Sequence, residues 1–236
     1  MNAERAVERL DGGPVRAQNR TSLHVAIGAD GAIEKVHINI GKTDAVAVED
    51  YDGADMALLK QTRTAALELL AGHETKEALA LLLLYGAVAQ QGLDTGEMED
   101  FDIPTALETG RSLRQTPDMP GFFRFFRELE ILTPRWAALL RTPAPLRFPP
   151  EMKAFARYLV ERYWLQAISD FDLMGRVKFI VISCLLVGSL PGDFAANAQL
   201  FSKEIENDAD NVDAILDAAG TCRPFTDSRL LGSLLL

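Results

Sequence analysis

Near Ala54 the apolar residues of this chain change their spacing, and that change limits the fold more than any other feature. Before it, Leu23, Val25 and Ile27 alternate with polar or small neighbours, GADG supplies turn residues at 28–31, and Val36, Ile38 and Ile40 alternate again. A period of two on both sides of a turn predicts a β-hairpin. After Ala54 the period becomes roughly 3.6, which predicts helices to the end of the chain. A lone two-stranded hairpin is only marginally stable in water, so the helices are its expected support. The expected fold is therefore all-α, with orthogonal or antiparallel helix packing and a small N-terminal β-hairpin. Residues 1–50 form an arm and the hairpin, and residues 51–236 form the helical domain.

Within the helical part, ADMALLKQTRTAALELLAG and TKEALALLLLYGAVAQQG read as two helices joined by a tight turn at Gly72 and His73. The stretch 93–121 is rich in acidic, Gly and Pro residues and reads as a connection with short helical pieces. FFRFFRELEILTPRWAALLRT gives two short helices separated near Pro134, and PAPLRFPP is a stiff linker whose last two prolines prepare the next helix. There Met152, Phe155, Ala156, Leu159, Val160, Tyr163, Ala167 and Ile168 trace one stripe, with Lys153, Arg157, Glu161 and Gln166 off it. The successor, about 172–190, is apolar on most sides and is expected at the centre. Three short helices follow, at about 193–206, 211–219 and 227–235.

With 236 residues, 48% of them apolar, the chain can fill a sizeable core. Its net charge of −10 argues against a nucleic-acid backbone or an anionic membrane as main partner, since both demand a basic surface. The N-terminus is charged throughout and lacks a secretory signal pattern. The longest uncharged run near Arg176 and Lys178 is 179–190, shorter than the about 20 residues a spanning helix needs. Two cysteines, Cys184 and Cys222, make neither a disulfide framework nor a metal set, and a reducing cytoplasm is the expected location.

Most short motifs fail on chemistry. Gly41, Lys42 and Thr43 follow a strand as in a phosphate-binding loop, but the earlier glycine is replaced by Val36, whose side chain would block the backbone cradle. DADNVDAILD puts Val212 and Asp213 where a calcium loop needs a ligand and a glycine. His24 and His37 could face each other across the hairpin, without a third ligand. FFRFF and RYWLQ carry aromatics at helical spacing, which fits a core better than a stacking surface.

The remaining candidate is FSKEIENDADNVDAI, at 201–215. Glu204 lies four residues after Leu200 and three after Phe201, at the edge of an apolar stripe, so it is expected to be partly buried and to need a donor or a cation. Arg176 or Lys178 is the expected cation, against a simpler pairing of Arg176 with Asp172 one turn back. Lys203 and Glu206 are expected to point away, while Asp208 and Asp210 serve the start of the next helix.

The same stretch, with FARYLVERYWLQAISDFDLMGRVKFIVISCLLVGSL before it, resembles the C-terminal helical part of the flagellin lysine-N-methylase family. Ser202, Lys203, Glu204, Ile205, Glu206 and Asn211 match the family's S(R/K)EIEH....N element, with Asn207 where a histidine is usual. The resemblance covers about 146–234 and, more weakly, 56–92. It implies a bacterial protein lysine methyltransferase with S-adenosylmethionine as donor, a flagellin-like protein substrate, and Glu204, Glu206, Asn207 and Arg176 as substrate-binding residues. The family's N-terminal cysteine cluster has no counterpart here, and no donor loop or metal set is readable, so the expectation is a divergent or truncated relative. The alternative is a non-catalytic helical protein-interaction module.

Overall fold

The computed structural model describes residues 51–235 and, ahead of them, the backbone of three strand segments. The chain divides into two units, Met1–Gly53 and Ala54–Leu236. In the first, the backbone of Arg5–Ala6, Thr21–Ile27 and Ile33–Ile40 is extended. The readings made for the arm and for Lys42 and Thr43 lie outside the described residues.

The second unit is all-α. Its helices are α1 (Met56–Gly72), α2 (Thr75–Thr95), α3 (Ile103–Leu113), α4 (Met119–Glu128) and α5 (Pro134–Arg141). They continue with α6 (Pro150–Tyr163), α7 (Leu173–Gly188), α8 (Phe194–Phe201), α9 (Ala209–Thr221) and α10 (Asp227–Leu235). Starts are written in the sequence: Asp102, Asp118, Thr133, Asp172, Asp193 and Asp208 each accept a backbone N–H of the first turn, satisfying donors that have no partner inside the helix.

α7 is the axis of the core. It is buried nearly all round and packs on α2, α6, α8 and α9. Gly86 of α2 makes the close approach possible, because a Cβ there would come within 2.7 Å of a Val177 methyl. α6 buries its expected stripe from Met152 to Tyr163 and leads into a 3-10 turn, Trp164–Ser169. Trp164 closes the α1 side by donating its indole N–H to Thr62 Oγ1 at 3.1 Å. Among the described residues no helix is long and apolar enough to cross a membrane.

Candidate functional site

α8 does not stop at Phe201. It runs into one π-helical turn, Ser202–Glu206, in which the Asn207 N–H reaches back to the Ser202 carbonyl at 3.0 Å. A π turn holds an extra residue per turn, so side chains after it no longer follow the 3.6-residue stripe. Glu206 is buried as a result, along with Glu204. Glu206 was expected to point away, and the widened turn is why it does not.

Glu204 is fully buried and touches neither expected cation. Its carboxylate accepts the Leu132 N–H at 2.8 Å and the Thr133 hydroxyl. Thr133 is also the N-cap of α5, its oxygen accepting the Trp136 N–H at 3.3 Å, so Glu204 anchors a capping residue at the positive end of that helix. Asn211 completes the clamp: its amide donates to the carbonyls of Glu130 (3.0 Å) and Glu204 (2.9 Å), and its oxygen accepts the Glu130 N–H at 3.1 Å. The loop 129–133, distant in sequence, supplies the donors that the expected cations do not. Arg176 instead pairs with Asp170 at 2.7 Å and more loosely with Asp172 at 3.9 Å. Lys178 pairs with Asp227 at 2.7 Å and donates to the Ala219 carbonyl at 2.9 Å.

Glu206 lies against α6. One carboxylate oxygen accepts the Tyr158 hydroxyl at 2.9 Å, the Tyr163 hydroxyl at 3.1 Å and Arg162 Nε at 3.2 Å. The other oxygen is buried with no partner. Burial, followed by the hydrogen bond to Glu206 and its charge for Tyr158 and by the Glu206 charge for Tyr163, pushes both hydroxyls above the ordinary tyrosine range. Tyr158 is 40% exposed, so the cluster reaches the surface along its ring. Asn207 is exposed and belongs to neither network. Of the four residues proposed to bind substrate, Glu204 and Glu206 thus share a turn but serve different neighbours, and Arg176 is engaged elsewhere.

Cys184 is buried in α7, where desolvation raises its thiol, and among the described residues no three His, Cys, Asp or Glu side chains are grouped to hold a metal.

One feature escaped sequence reading. The PAPLRFPP linker folds back beside α4 and α10 to leave an open groove of about 600 Å³, walled by Pro117, Pro120, Phe123, Pro143, Pro145 and Leu146, with Arg127 as its charged lining group. The stiff prolines were legible, but the segment facing them was not. A smaller hollow of about 280 Å³ lies between the start of α7 and the end of α9, beside Asp172, Lys178 and Asp217.

No family model, no curated protein and no solved structure matches the chain.

Proposed function

We propose that the helical unit is a non-catalytic protein-interaction module, acting in the cytoplasm, whose recognition surface is the proline-walled groove. The observation that carries this reading is the groove itself: apolar, open, and built on prolines whose fixed φ leaves little backbone freedom to lose on binding. The carboxylate motif supports it from the other side, because Glu204 and Asn211 spend their hydrogen bonds holding the loop 129–133. Selection of displayed peptides against the full chain tests it. Enriched peptides should lose binding to a Pro145→Glu variant, which places a charge on an exposed wall; failure to enrich any groove-dependent peptide overturns it.

A second reading follows the resemblance: a protein lysine methyltransferase acting on a flagellin-like substrate, with Glu204, Glu206 and Asn207 near the lysine. The unpartnered oxygen of Glu206, beside the exposed Tyr158 ring, favours it, since a lysine amine is a donor of the right chemistry. The larger hollow suits S-adenosylmethionine poorly: it presents a cation, Arg127, to a donor that is itself a sulfonium, and no carboxylate lines it. Calorimetric titration with S-adenosylmethionine decides between the readings, and micromolar binding would put the methyltransferase first. For the N-terminal unit we propose that Thr21–Ile27 and Ile33–Ile40 form a stable hairpin, with slowed amide exchange along both strands as the check.

A further inference from the structure

Resting on the reading of the helical unit as a binding module, we infer that its groove takes an acidic protein segment studded with apolar side chains. The apolar walls need apolar side chains to cover them, and the charge of the partner is set by the rim. Arg127 lines the groove, Arg124 follows Pro120 by one helical turn on the same stripe, Arg141 precedes Pro143 by two residues, and Arg147 adjoins Leu146. Arg124 and Arg141 are exposed and make no hydrogen bond or ion pair among the described residues. Arg127 and Arg147 are held by backbone carbonyls, Leu140 at 3.2 Å for the first, Leu190 and Gly192 at 3.0 Å for the second, so they are oriented without being neutralised.

Carboxylates of the same stretch offset this rim only in part: at the same remove in sequence from the lining residues stand Asp118, which caps α4 by accepting the Gly121 N–H at 3.0 Å, and Glu128, against the four arginines. In a chain of net charge −10 this is a local excess of cations around an apolar slot. A basic segment would be repelled by it, and a neutral one would leave the arginines unused. An acidic segment with apolar anchors complements wall and rim together, the arginines steering it in and setting its orientation.

Three synthetic peptides test this, sharing the same apolar residues and carrying Glu, Gln or Lys between them, titrated by fluorescence anisotropy into the full chain. The Glu peptide is expected to bind tightest. It should weaken about tenfold or more between roughly 0.05 and 0.5 M salt, and similarly in an Arg124→Glu/Arg141→Glu variant. Both substitutions are at exposed positions, and an unchanged circular dichroism spectrum separates lost binding from lost fold. Should the Gln or Lys peptide bind as tightly, with Pro145→Glu abolishing it, the acidic partner is wrong and the binding module stands. Should no peptide bind at about millimolar concentration, both fall. Glu-peptide binding untouched by either variant would put the segment elsewhere, and binding of dodecanoate without binding of the Glu peptide would make the groove a site for an anionic amphiphile; each overturns the inference.

Discussion

Glu204 and Glu206 leave the same π turn two residues apart and meet opposite fates. Glu204 faces the loop 129–133, where backbone N–H, threonine hydroxyl and the Asn211 amide form a closed network. Glu206 faces α6, where three donors crowd one oxygen and the other has none. The first arrangement is what a structural clamp requires, since any buried donor left over would cost stability. The second keeps an acceptor in reserve. One sequence motif, EIE, thus combines a finished joint with an unfinished one.

The largest effect comes from removing what both sides share. Phe201 is fully buried between Phe155 and Phe179, just before the π turn. Phe201→Ala should cost about 3–5 kcal/mol and loosen both carboxylates together. Denaturant unfolding measures it; a loss below about 1 kcal/mol would show that the two sides do not depend on this support.

Next in size is the clamp alone. Glu204→Gln keeps the shape but turns an amide toward one of two donors, at a cost of about 1–3 kcal/mol. A double-mutant cycle separates the observed partner from the expected one: Glu204→Gln with Thr133→Val should couple by about 0.5–3 kcal/mol, while Glu204→Gln with Arg176→Met should be additive within about 0.5 kcal/mol. Coupling to Arg176 and none to Thr133 would restore the ion pair expected from sequence.

That contrast also marks how far sequence reading goes. The burial of Glu204 was legible, because its distance from Leu200 and Phe201 is a local fact about one helix. Its partner was not, because Leu132 and Thr133 lie about seventy residues earlier and no periodicity spans that gap. Glu206 was misread for a different reason: stripe arguments assume 3.6 residues per turn, and the π turn breaks that assumption inside the motif. The helices themselves were written plainly, from the turn at Gly72 and His73 to the stripe of α6 and the apolar α7. The groove is made where α4, α10 and the linker meet, which are separate entities in sequence.

A smaller effect separates the Glu206 side by pH. Tyr163 is raised above its ordinary value mainly by burial. A raised acid holds its proton more tightly folded than unfolded, so its contribution is complete below the unfolded value of about 10 and is lost as pH rises through the folded value. Stability should therefore fall on the alkaline side of pH about 10, and Tyr163→Phe should flatten that limb while leaving the Glu204 clamp intact. Equal alkaline slopes for the two proteins would remove Tyr163 as the cause.

The smallest effect is expected at Asn207, and it bears on whether the unfinished side is used. Asn207 follows Glu206 directly, is exposed, and has an ordinary negative φ of −88°, so no strain requires asparagine there. Its role in the turn is carried by its backbone N–H, which any residue except proline supplies. Asn207→Ala and Asn207→His should both stay within about 0.5 kcal/mol of the parent in denaturant unfolding. The side chain is then free to matter only to something outside the fold. A loss well above about 1 kcal/mol would make Asn207 part of the joint.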